Sequence, residues 1–184
     1  MLTNLIVVDD YYNNPDEVRQ FALSQEFSVF GNYPGKRTKS FLNESNKETI
    51  QNIIQPHGGN ITDWFYSDDT SYTGCYQITT SNDRSWIHSD NDNRWAAVCY
   101  LTPNAPISGG TGLYKYKETG ERGRYDNIYP GQDYTKWELI DAVGNIYNRL
   151  VIYPGCLFHA SLNYFGNSLE TGRLFQVFFF NSEF

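Results

Sequence analysis

Arg173-Leu174-Phe175-Gln176-Val177-Phe178-Phe179-Phe180 is the stretch that most narrows what this chain can become. A short, nearly continuous run of aromatic and β-branched residues reads as a strand buried on both faces. The arginine at its head is out of place there, because an unpaired charge in a low-dielectric interior costs on the order of several kcal/mol. It needs an anion. Either a carboxylate of the protein supplies it, or a ligand carboxylate does, held by the two-pronged guanidinium edge.

The same kind of segment recurs from about residue 72 onward. Tyr72–Thr79, Trp86–Asp90, Trp95–Leu101, Thr111–Tyr116, Arg149–Tyr153, Leu157–Leu162 and Arg173–Asn181 are short, aromatic or β-branched, and separated by turn residues. With 17% aromatic residues to fill an interior, this pattern predicts a mainly β chain, a sandwich or barrel of the class that includes jelly rolls. The 184 residues are expected to form one domain, with a helical lead-in over 1–70 and the strand-rich core over 71–184.

In the lead-in, Asn4–Val8 reads as a strand closed by Asp9-Asp10. A helix follows, with Asn14 as cap, Pro15 at its first position, Asp16 and Glu17 against the dipole, and Val18, Phe21 and Ala22 as an apolar stripe. Ser45-Asn46-Lys47-Glu48 has the form of a capping box before Ile50, Ile53 and Ile54, and Pro56-His57-Gly58-Gly59 should stop that helix. Lys117–Tyr134 is polar and of mixed charge, a long loop that serves as a lid or as a solvated insertion. Trp137–Ile146 is expected to be a short helix or turn.

A net charge of −7 argues against non-specific binding of nucleic acid. No apolar stretch reaches membrane-spanning length, and the first residues lack the basic start of a secretory leader. Cys75, Cys99 and Cys156 are odd in number and lie in apolar segments, so buried thiols in a reducing compartment are expected, and the cytoplasm is the default location.

The chemistry-bearing residues are few. His88 and Asp90, spaced i, i+2, project to one face of an extended segment, and His159 is a second imidazole far along the chain. Two His and one carboxylate, with open positions at the metal, are the facial triad of non-haem Fe(II) sites. An H-x-D pair alone is common by chance. His57 lies in a Gly/Pro turn and reads as a solvated residue. Asp90-Asn91-Asp92-Asn93 fails as a calcium loop, since Arg94 takes a ligand position and no closing Glu follows. Gly109-Gly110-Thr111-Gly112 lacks the Lys of a phosphate loop and reads as a turn entering a strand.

Taken in order, His88-Ser89-Asp90, Ala97–Leu101, Gly109–Tyr114, Asn148–Gly155, His159 and Arg173 resemble the landmarks of the Fe(II)/2-oxoglutarate-dependent oxygenase superfamily, of the prolyl-4-hydroxylase-like kind. The opening Val7–Tyr12 with its Pro15 helix is also similar, whereas Gly120–Asp133 matches nothing in the family. The resemblance implies a double-stranded β-helix, a jelly roll, with flanking N-terminal helices. It implies that His88, Asp90 and His159 ligate Fe(II), that Arg173 binds the distal carboxylate of 2-oxoglutarate, and that Tyr100 adds a hydroxyl to it. Tyr76 sits where relatives often place a tyrosine near the cosubstrate. Arg173 lies further beyond His159 than in the common pattern, and Asn163–Thr171 would take up the extra residues in a turn.

The expected activity is hydroxylation of a peptide or small molecule with O2, giving succinate and CO2. Asp90 fills the position that halogenases leave open for chloride. Two other readings use the same jelly roll: a cupin-like metal-dependent isomerase, or a non-catalytic binding or structural protein.

Overall fold

β10 (Arg173–Glu183) is the strand around which the molecule is organised, and the alternation of its side chains creates two different environments. Leu174, Phe178 and Phe180 face one side, Phe175, Val177 and Phe179 the other. In the computed structural model, residues 3–64, 72–90 and 92–184 are described. The expected lead-in boundary at residue 70 lies outside them.

Ten strands and two α-helices occur among the described residues: β1 (Ile6–Val8), α1 (Pro15–Leu23), β2 (Lys36–Ser40), α2 (Glu44–Gly58), β3 (Asn60–Asp63), β4 (Cys75–Thr79), β5 (Trp95–Tyr100), β6 (Thr111–Tyr116), β7 (Trp137–Val143), β8 (Leu150–Pro154), β9 (His159–Ser161) and β10. The larger sheet runs β1-β8-β5-β10-β4-β2, with β3 also paired to β10, and the smaller runs β7-β6-β9. All these pairings are antiparallel. The chain is thus mainly β, as its short strands predict.

The outer face of the large sheet is covered by the helices. Ala22, Ile50 and Ile54 are fully buried against Trp95, Ile152, Phe178 and Phe180. The inner face meets the small sheet through Val98, Tyr100, Val177, Leu113 and Val143. Burying Phe178 and Phe180 completely contributes roughly 2–3 kcal/mol each relative to exposure, which is why β10 tolerates so few polar residues.

Several local expectations need correction. Asn14 precedes α1 but its side chain makes no capping hydrogen bond. The cap of α2 is Asn43, whose side chain accepts from the Asn46 amide, so the Ser45 capping box does not form. The Pro56–Gly59 stop does hold, though at its glycines: Pro56 sits inside α2, which runs to Gly58 and is capped by Gly59, whose φ of 82° a Cβ would oppose. Residues 137–143 form strand β7 rather than a helix or turn. It is an edge strand paired only to β6 in its sheet, and Trp137 and Val143 alone are buried in it. Residues 86–90 make only an isolated bridge, His88 to His159. The first seventy residues also contribute β2 and β3, which were not expected. Cys75 and Cys99 are buried thiols, as expected, but Cys156 is only partly buried. No helix among the described residues is long and apolar enough to cross a membrane.

Candidate active site

The inner face of the large sheet opens into a cavity of about 790 Å3 whose walls include His88, Asp90, His159 and Arg173. His159 starts β9, and His88 is bridged to it through paired backbone bonds, His88 N to His159 O at 3.0 Å and His159 N to His88 O at 2.8 Å. This bridge joins two distant segments and sets the rings 4.4 Å apart. Asp90 is fixed by its amide, which donates to Gly155 O at 2.8 Å. The candidate ligand atoms of His88, Asp90 and His159 all lie within 4.8 Å of one another.

Their hydrogen bonding leaves a deficit of protons. His88 Nδ1 lies 3.0 Å from Trp86 O and His159 Nδ1 lies 2.8 Å from Leu157 O. A carbonyl only accepts, so each Nδ1 carries a proton, and Nε2 is the ring nitrogen left to face Asp90. Burial, helped by His88, pulls the His159 pKa down to about 4, against the opposing pull of Asp90, so that ring is neutral near pH 7. Asp90 Oδ1 is 3.8 Å from His88 Nε2, Asp90 Oδ2 is 3.6 Å from His159 Nε2, and Oδ2 is buried with no hydrogen-bond partner. Lone pairs therefore face lone pairs, an arrangement that a cation relieves.

Arg173 is 1% exposed. Its Nε donates to Gly109 O at 2.7 Å, Nη2 reaches Gly110 O at 3.5 Å, and Nη1 is buried without an acceptor. Phe175 lies under the guanidinium at 4.3 Å. No carboxylate among the described residues pairs with it, so the internal-anion alternative finds no partner there. Tyr100 donates to or accepts from Thr111 Oγ1 at 2.8 Å, and Thr111, rather than Tyr100, lines the cavity. Tyr76 is on the other face of β4, packed against Phe21 and Phe41 in the helix-side core. The expected place near a cosubstrate is corrected for Tyr76: strand alternation turns its neighbour Gln77 into the cavity instead.

The loop before β7 forms part of the wall. Asn127 binds both backbone groups of Ser89, accepting from its N at 2.8 Å and donating to its O at 2.9 Å. Ile87 N donates to Gly131 O at 2.9 Å, and Tyr129 stacks on Tyr116 with centroids 4.0 Å apart. Sequence reasoning missed Asn127, Thr111 and Gln77. Thr111 was within reach, since it shares strand parity with the inward Leu113; Asn127 carries no signal of its own.

A family model described as a family of unknown function (DUF6445) matches residues 2–127. The chain belongs to this family. The DUF6445 span contains His88 and Asp90 and ends before His159 and Arg173. No curated protein is matched by the sequence.

Among solved structures, HygX from Streptomyces hygroscopicus with nickel, 2-oxoglutarate and hygromycin B bound is similar at a TM-score of 0.65 and 10% identity, over 99% of this chain and 84% of HygX. A prolyl hydroxylase from Trichoplax adhaerens, in complex with a hypoxia inducible factor peptide fragment, is similar at 0.57 and 15%, over 97% and 84%. The non-haem alpha-ketoglutarate-dependent epimerase SnoN gives 0.57 and 13%, over 97% and 78%. This DUF6445 chain therefore has the fold of 2-oxoglutarate-dependent oxygenases and prolyl hydroxylases.

Proposed function

We propose that this protein is an Fe(II)- and 2-oxoglutarate-dependent oxygenase, one double-stranded β-helix domain that hydroxylates a small molecule or a peptide. The observation that carries the reading is the coexistence, in one buried cavity, of the His88, Asp90, His159 cluster, whose Asp90 Oδ2 has no hydrogen-bond partner, and an Arg173 guanidinium whose Nη1 has no acceptor. Neutral Nε2 atoms and a carboxylate suit Fe(II), and an unsatisfied guanidinium edge suits the far carboxylate of a diacid. Bound together, iron and the keto acid would supply the oxidising power, one atom of O2 ending in succinate as CO2 is lost and the other in the hydroxylated substrate.

The protein's own share is positional. His88, Asp90 and His159 would hold the metal, with the Trp86 and Leu157 carbonyls fixing the tautomers. Arg173 would orient the diacid, and Thr111, backed by the Tyr100 hydroxyl, would donate to the same carboxylate. Phe175, Val177 and Phe179 keep that wall of the cavity apolar and water-poor. The thiols suit a reducing compartment, and we assign the cytoplasm. A cupin-like isomerase or a structural protein would need neither 2-oxoglutarate nor an anion at Arg173.

Anaerobic addition of Fe(II) and 2-oxoglutarate tests the reading. A weak visible absorption band requiring both, and succinate formation once O2 is admitted, are expected. A folded protein that shows no band and no 2-oxoglutarate binding overturns it.

A further inference from the structure

A second guanidinium lines the cavity. Arg37 on β2 is only 6% exposed, yet no carboxylate among the described residues pairs with it. Its surroundings hold it in one pose. Nε donates to Gln77 Oε1 at 2.8 Å, and Gln77 Nε2 in turn donates to Pro34 O at 2.7 Å, which settles which end of the amide faces Arg37. The Tyr33 ring lies 3.8 Å from the guanidinium carbon and the Phe179 ring 5.6 Å. With Nε used and the flat face covered by Tyr33, the Nη edge is what remains. It has no acceptor among the described residues.

The Tyr33 hydroxyl points to the same conclusion independently. It is buried, lines the cavity and has no hydrogen-bond partner. Gly31 makes room for this ring: a Cβ there would lie 2.5 Å from Tyr33 Cε1. A buried cation and a buried hydroxyl, adjacent and both short of an acceptor, call for an anionic ligand.

Position and charge say which one. Arg37 lies against Phe179, Phe179 stacks on Tyr72 at 4.4 Å, and all three line the same cavity as Asp90 and His159. On the functional reading above, a divalent metal, Asp90, a dianionic keto acid and Arg173 neutralise one another. Asp92 at the rim is exposed to solvent. One buried positive charge, that of Arg37, is left without a counterion.

We propose that Arg37 and the Tyr33 hydroxyl form the substrate-recognition site and bind one carboxylate of the substrate. The substrate is thus a carboxylic acid, either a small free acid or a peptide presenting a carboxylate. An edge-on, two-pronged contact to a planar monoanion matches the exposed Nη atoms, with Tyr33 donating a third hydrogen bond.

The test uses full-length protein loaded with Ni(II) and 2-oxoglutarate. Binding is followed by ligand-observed NMR for N-acetyl amino acids and their methyl esters, and for short peptides with free or amidated C-termini. Acids should bind and their esters or amides should not. The arm that binds separates a small acid from a peptide. Arg37→Gln should weaken the acids by about 30-fold or more, Arg37→Lys by less, and Tyr33→Phe by a few-fold, with 2-oxoglutarate affinity and melting temperature kept. No acid binding, equal binding of acids and esters, or wild-type affinity in Arg37→Gln each overturn the proposal. So does a parallel loss of 2-oxoglutarate, which would assign Arg37 to the cosubstrate. If 2-oxoglutarate fails to bind the wild type, the oxygenase reading falls. The acid-against-ester comparison on metal-free protein then still decides the role of Arg37.

Discussion

Asn127 clamps Ser89 from both sides, its side-chain amide closing on the N–H and the C=O of the residue that lies between His88 and Asp90. The clamp ties the long loop to the donor segment, which is otherwise held by the His88–His159 bridge and by single backbone bonds from Ile87 to Gly131 and from Asp90 to Gly155. Asn127→Ala should therefore weaken Ni(II) or Fe(II) binding by about 10- to 100-fold, the range for partners that orient ligands. Isothermal titration checks it; unchanged metal affinity would make the clamp purely structural.

Arg173→Met should fold and still bind metal, because the thioether fills the aromatic-lined slot without a charge. Affinity for 2-oxoglutarate should fall by about 100-fold, since the far carboxylate loses its charged partner. Tyr76→Phe should leave that affinity unchanged, as Tyr76 faces the helices. Anaerobic spectrophotometric titration of the pair separates these outcomes.

Metal-free stability should decline in acid. Burial, then His88, hold the His159 pKa down to about 4, against 6.5 for an unperturbed ring. Between these values the unfolded chain binds a proton that the native protein refuses. The stabilisation is complete above pH 6.5 and is lost as the pH falls towards 4, by roughly 3 kcal/mol at most. Urea melts in chelator at several pH values measure it. The slope over that window should flatten in His159→Asn.

Gly131→Ala should detach the loop locally. A Cβ at Gly131 would collide with the Ile87 carbonyl oxygen, which is backbone and cannot swing aside. Faster limited proteolysis within 117–134 is expected, with a smaller loss of metal affinity than in Asn127→Ala. Wild-type protease resistance would show that the loop absorbs the change.

The strands over 95–100, 111–116 and 173–183 were legible because their aromatic and β-branched runs leave no other buried element of that length. β2 was not, since Lys36-Arg37-Thr38-Lys39-Ser40 carries charge at three of its five sites and its burial depends on β4 beside it. β7 was misread because Trp137, Ile140 and Val143 have near-helical spacing, whereas as an edge strand it needs few inward residues. At the site, His88, Asp90, His159 and Arg173 stood out by residue type and by family likeness, and the fold brings them to one cavity. Arg37 and Asn127 stayed hidden: an arginine in a charged strand and an asparagine in a polar loop look like surface until the tertiary contacts exist.

The bridge between His88 and His159 has a consequence for how the molecule comes into being. Neither imidazole has its partner until segments separated by much of the chain have met, so closure is late and costly in loop entropy. A nascent or truncated polypeptide that stops before β9 holds two of the three donors, His88 and Asp90. If the centre holds iron as proposed, redox-active metal would be fully ligated only in molecules that have finished assembling, and chain topology would itself screen out unfinished ones.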